Sequence, residues 1–111
     1  MTKTLIEAGA NVNAQSNQGS TALTLAAEQG YAEIIKLLLS HGANLNAKTD
    51  HDNTALMYGA EYGHLKVVET LLSAGADYTL KDKDSETALM MAKRKHHLEV
   101  IGLFEAQGVK E

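Results

Sequence analysis

Residues 49–81, TDHDNTALMYGAEYGHLKVVETLLSAGADYTLK, have a copy on each side of them. Thirty-three residues before Thr54-Ala55-Leu56 stands Thr21-Ala22-Leu23, and thirty-three after it stands Thr87-Ala88-Leu89. Gly75-Ala76 recurs as Gly42-Ala43 and Gly9-Ala10, Gly63 as Gly30, and Val67-Val68 as Ile34-Ile35 and Val100-Ile101. A fixed period held by several residues at once is the mark of stacked repeats. No such unit buries its apolar face alone, so function belongs to the surface of the stack.

The copies to either side keep the plan and vary it. In residues 16–48, Thr21 precedes an Ala/Leu-rich run, Ala22–Gln29, and its hydroxyl suits a helix N-cap. Gly30 then allows a left-handed helix stop. A second helix is expected over Ala32–Ser40, with Ile34, Ile35, Leu38 and Leu39 on a broad apolar face. Gly42 ends it, and residues 43–50 run as an extended loop. In residues 49–81, Thr54 caps, Gly63 separates the helices, and Val67, Val68, Leu71 and Leu72 line the core face. In residues 82–111, Thr87 still caps, but His96 replaces the inter-helix Gly. Glu105 stands where Leu39 and Leu72 stood, the polar change a water-facing last repeat needs. Residues 1–15 read as half a repeat, with Leu5-Ile6 matching Leu38-Leu39. The C-terminus thus reads as a true end and the N-terminus as an open one, where self-association or fraying is expected.

Bulk composition bounds the classes. A chain of 111 residues is one domain's worth, 44% hydrophobic and 22% charged. A net charge of −4 argues against a nucleic-acid binder, whose mark is a strongly basic face. With no Cys, disulfides and thiolate metal sites are excluded. No apolar run reaches the roughly 18 residues of a membrane span, so no membrane partner is expected. Residues 1–13 have no apolar core of signal-peptide length, and the chain as given reads as intracellular, hence cytoplasmic.

Helix, Gly, helix, Gly-Ala and a turn-bearing loop at this period resemble the ankyrin repeat. Gly19-Ser20-Thr21-Ala22-Leu23-Thr24-Leu25-Ala26-Ala27 is similar to the first half of that motif. Leu37-Leu38-Leu39 and Gly42-Ala43-Asn44-Leu45-Asn46 are similar to the second, as are Gly63-His64, Val67-Val68 and Gly75-Ala76-Asp77 in the next copy. The resemblance covers the whole chain. It implies an all-α solenoid of stacked helix-turn-helix pairs joined by extended or hairpin loops, with residues 1–111 as a single domain. There are departures. The family's Pro is Ala22, Ala55 and Ala88, which gives up a preset φ at the first helical position. Its His is Thr24, Met57 and Met90, so the Thr–His bonds that commonly staple such repeats should be absent. Its loop-tip Gly survives only as Gly19, with Asp52 and Ser85 in the later copies.

The resemblance also implies where a partner docks: on loop tips and first helices, which form the concave side of the family's stacks. By register those positions are Asn17, Gln18, Ser20, Glu28 and Gln29 in the first full repeat. In the second they are Asp50, His51, Asn53, Glu61 and Tyr62, and in the third Lys83, Asp84, Glu86, Arg94 and Lys95. They vary while the framework repeats, as a surface free of packing duties does; the bland alternative is that they are merely solvated. Tyr62 is the anchor candidate, since Tyr is enriched at hot spots, unless its ring only packs on a neighbouring helix. Glu28, Asp50, Asp52 and Glu61 are acidic toward the front and Lys93, Arg94 and Lys95 basic at the back, a polarity that would steer a matching partner.

Other chemistries find little support. Lys93–Lys95 lacks interleaved aromatics and lies beside Asp82, Asp84 and Glu86, a poor nucleic-acid patch. His96 and His97 are adjacent, about 100° apart on a helix, and cannot share an ion as i,i+4 pairs do, so no metal is expected. Met57, Met90 and Met91 fall on first helices and suit core gaps. No phosphate loop, nucleophile elbow or zinc-protease motif is present, so neither enzyme nor cofactor is expected. Two functions stay open: a non-catalytic protein-binding module using the concave face, and a structural or targeting segment of a larger protein packing through its open N-terminal end. With its motif departures, the stack should be less stable than a consensus one. Its midpoint in a urea melt is expected to fall below that of a consensus stack of equal length.

Overall fold

The computed structural model describes residues 21–108, and within them the chain is six α-helices without a strand. The half repeat at residues 1–15 and the candidate positions Asn17, Gln18 and Ser20 lie outside the described residues. The helices are α1 (Ala22–Gln29), α2 (Ala32–Ser40), α3 (Ala55–Glu61), α4 (Leu65–Ser73), α5 (Ala88–Arg94) and α6 (Leu98–Ala106). They form three hairpins of one plan. The first helices α1, α3 and α5 pack in one layer and the second helices α2, α4 and α6 in another.

Each first helix starts at a threonine. The Thr21, Thr54 and Thr87 hydroxyls accept from the backbone N–H three residues on, at 3.2, 3.3 and 3.3 Å. The residue at that third position answers within its own helix. The Thr24 hydroxyl accepts from the Thr21 N–H at 2.9 Å, and the Met57 sulfur accepts from the Thr54 N–H at 3.4 Å. These are reciprocal capping boxes, and none of their bonds crosses to another repeat.

The crossing bond comes from a different histidine. His64 Nε2 donates to the Glu28 carbonyl at 3.0 Å, and His97 Nε2 donates to the Glu61 carbonyl at 2.8 Å. Each acceptor lies near the end of the preceding repeat's first helix, where carbonyls lack intrahelical partners. Each ring lies on the glycine that follows. A Cβ on Gly30 would sit 2.9 Å from His64 Nδ1, and one on Gly63 would sit 2.6 Å from His97 Nδ1. These glycines are also left-handed, with φ of 85° and 71°. Two requirements, backbone and room for a ring, therefore meet at one residue.

The core runs through all three hairpins. Leu23, Leu56 and Leu89 occupy one column of it, and Leu38, Leu71 and Phe104 another, all buried. The aliphatic pairs divide by direction. Val67, Val68, Ile35 and Val100 are buried, whereas Ile34 and Ile101 are only partly so. The first member of each pair thus faces the preceding repeat and the second faces the following one. At the N-terminal side Leu25 is 47% and Tyr31 54% exposed, while Met91, in register with Leu25, is buried. At the C-terminal side Lys93 is exposed where Ala27 and Ala60 are buried, and Leu98 is 75% exposed.

Three non-glycine residues hold left-handed backbone: Asp52 (φ 62°), Ser85 (φ 63°) and His96 (φ 60°). Asp52 and Ser85 are the loop tips. Their loops are closed by side chains: Thr49 Oγ1 accepts from the N–H groups of His51 and Asn53, and Asp82 Oδ1 from those of Asp84 and Glu86. His96 stands in register with Gly30 and Gly63 but carries the Cβ they lack, at a cost of about 1–2 kcal/mol. In equilibrium urea unfolding, His96→Gly is expected to stabilise the chain by about 1 kcal/mol. Gly63→Ala, which adds strained φ to a clash with His97, is expected to destabilise it by about 2 kcal/mol or more.

Candidate functional site

The candidate positions fall on three surfaces of the first-helix side. Glu28 and Gln29 end α1, Glu61 ends α3 with Tyr62 as its C-cap, and Arg94 ends α5 with Lys95 as its C-cap. Asp50, His51 and Asn53 belong to the loop before α3, and Lys83, Asp84 and Glu86 to the loop before α5. Glu28, Glu61 and Arg94 form one column along the stack by register, and Gln29, Tyr62 and Lys95 the next.

Tyr62 is 46% exposed and held from two sides. Its ring stacks on that of Tyr58, centroids 6.4 Å apart and planes within 10°. It also meets the His64 ring at 6.2 Å, tilted by 47°. Because His64 is itself pinned to the Glu28 carbonyl, the junction between the first two repeats orients Tyr62. Burial and then the charges of Glu61, Glu28 and Tyr58 raise the Tyr62 phenol above its ordinary value. The ring thus sits in a negative field while keeping an open face.

The basic end is engaged within the chain. Arg94 Nε and Nη2 donate to Glu86 Oε2 and Oε1, both at 3.0 Å, a bidentate pair. Arg94 Nη2 also lies 3.9 Å from Glu61 Oε2, linking α5 to α3. The Glu86 hydrogen bond is the main cause that raises the Arg94 guanidinium further above its ordinary value. The front-to-back charge polarity read from the sequence is therefore partly closed by an ion-pair chain, Glu61–Arg94–Glu86. The acidic Glu28 makes no ion pair among the described residues.

Sequence reasoning did not single out Leu25 or Tyr58 as surface residues, yet both lie on this face. The available signal was their shared column, Leu25–Tyr58–Met91, which is apolar throughout and so reads as core. It also gave His64 and His97 no structural work, although they join the repeats. On the second-helix side, a groove of about 530 Å3 is lined by Tyr31, Ile34, Lys36, Lys66, Glu69 and Thr70 among others. Its lysines pair with Glu33 and Glu69 on their own helices. Among the described residues no group of three or more His, Asp or Glu is placed to hold a metal ion, and no helix is long and apolar enough to cross a membrane.

Residues 1–82 match a family model described as Ankyrin repeats (3 copies). The third described helix pair, α5 and α6, lies beyond the matched residues but keeps their register. No curated protein matches the chain.

The raised Tyr62 phenol has a direct readout. In an ultraviolet titration, Tyr62→Phe is expected to delete a step lying above the ordinary tyrosine value of about 10. Folding holds that proton more tightly than the unfolded chain does. The associated stability is thus complete below pH of about 10 and is lost as pH rises through the folded-state value.

Proposed function

The chain belongs to the ankyrin-repeat family, and on that premise we propose that its first-helix face, from Leu25 across Tyr58 and Tyr62 to Lys95, is the surface that binds a partner protein. A non-catalytic protein-interaction role is typical of ankyrin-repeat domains. The observation that carries the placement is the contrast between columns. Framework columns such as Leu23–Leu56–Leu89 hold one residue type in all three copies, buried each time. The neighbouring columns Glu28–Glu61–Arg94 and Gln29–Tyr62–Lys95 change charge and size from copy to copy and remain at the surface. Tyr62, rigidly placed and open on one face, supplies the large, low-entropy ring that hot spots favour.

A second reading is favoured by the exposed apolar residues Leu25, Tyr31 and Ile34 on the side of the stack that precedes α1. Their counterparts Met91, Val67 and Val100 are buried, and His64 and His97 at Tyr31's position are partly so. This end would pack on more repeats, on another domain or on a second copy of the chain.

One comparison separates the two. The parent chain and the variant Glu28→Lys/Glu61→Lys/Tyr62→Ala, both shown to be folded by their melts, are used to retain proteins from host lysate. A protein held by the parent and lost from the variant is expected. If both hold the same proteins, the binding surface is the α1 end face and the first-helix reading falls.

A further inference from the structure

We propose that the junction between α1 and α3 is a seat for an arginine side chain, presented by the protein segment that docks on the first-helix face. This rests on the reading of that face as a binding surface.

The repeat symmetry supplies an occupied version of the same seat. Between α3 and α5, the Arg94 guanidinium is gripped by Glu86 at 3.0 Å and lies 3.9 Å from Glu61. Each of these three residues has a counterpart thirty-three positions earlier: Asn53 for Glu86, Glu28 for Glu61, and Glu61 for Arg94. The two outer acceptor positions are retained and the cation between them is replaced by a carboxylate. What results is a place with acceptors and negative charge but no donor. Asn53 Oδ1 is buried and has no hydrogen-bond partner among the described residues. A buried acceptor left in this state costs about 1–3 kcal/mol, and a guanidinium, all donor and no acceptor, matches the need.

The aromatic residues give the seat a floor. Tyr58 and Tyr62 stack where the third repeat has Met91 and Lys95. A guanidinium is attracted to the face of such a ring, and the open face of Tyr62 lies in the field of Glu61 and Glu28. Leu25, in the same column as Tyr58 and 47% exposed, offers apolar surface for a neighbouring side chain or for the arginine stem. Charge, acceptors, ring and apolar shelf thus select an arginine beside an apolar residue. An acidic segment would meet two carboxylates, and its natural counter-ion on this face, Arg94, is already engaged.

The test uses the full 111-residue chain, isotope-labelled, and three synthetic peptides: acetyl-Leu-Arg-Leu-amide, its citrulline analogue and its glutamate analogue. Citrulline keeps the shape of arginine and removes its charge. The arginine peptide is expected to move the ring signals of Tyr58 and Tyr62 and the amides around Glu28. The citrulline peptide should bind at least tenfold more weakly. Glu28→Gln combined with Glu61→Gln should bring the arginine peptide down to the citrulline level, with the methyl signals of Val67 and Leu71 reporting an intact core. If that double variant loses its core spectrum, Tyr62→Leu takes its place, with an expected loss of at least fivefold. Equal binding of arginine and citrulline peptides at these residues would overturn the arginine seat but leave the surface reading standing. Shifts confined to the second-helix groove or the Leu98 end would overturn both. No shift at Tyr62 with millimolar arginine peptide would overturn the seat.

Discussion

The stack depends on one small contact made twice: an imidazole laid on a glycine and bonded to the carbonyl two residues before it. His64 on Gly30 and His97 on Gly63 join successive hairpins through backbone rather than side chain. A helix end needs a donor for its last carbonyls, and the next repeat supplies it. The glycine needs a left-handed φ to turn the chain into the second helix, and its missing Cβ is also the room the ring occupies. Hairpin geometry and repeat-to-repeat spacing are thereby set at the same atoms. The apolar columns then close around that spacing, and Leu38, Leu71 and Phe104 show that it tolerates different side chains in one column.

Much of this was legible in the sequence because stacking makes each residue answer to its register. The helix Ala32–Ser40, the capping threonines and the left-handed Gly30 all follow from a period that several residues keep together. The absence of inter-repeat bonds from Thr24 and Met57 also follows, since neither side chain reaches beyond its own capping box. What replaced those bonds was not legible. A histidine beside a glycine reads as a composition preference until the ring is seen on the glycine of the repeat before. The three non-glycine left-handed residues show a second limit. Asp52 and Ser85 adopt a glycine's backbone because the loop around each is closed by Thr49 or Asp82. Loop closure by a residue three positions away is a tertiary fact written in local letters.

The candidate surface was legible as a set of positions and less so as a set of interactions. Register alone places Glu61, Glu86 and Arg94 on the same side of the stack, and a list of such positions treats them as equally available. In three dimensions they bond to one another, while Tyr62 is braced by Tyr58 and His64. The face is therefore not uniform. Its later half is internally compensated, and its earlier half carries charge and ring surface that remain open. That asymmetry comes from single substitutions in a repeating frame: a carboxylate for a guanidinium at Glu61, an amide for a carboxylate at Asn53.

The histidine contact also fixes how the molecule comes apart. Each junction joins one hairpin's first helix to the next hairpin's imidazole, so the middle hairpin is clasped from both neighbours and each outer one from a single side. In such an array, stability is a sum of hairpin terms and junction terms, with no long-range contact to tie the ends together. The unit of cooperativity is then the junction and not the hairpin. Loosening one junction divides the chain into two blocks, each too small to bury its own apolar face, and the loss spreads outward as if a zip had been opened in its middle.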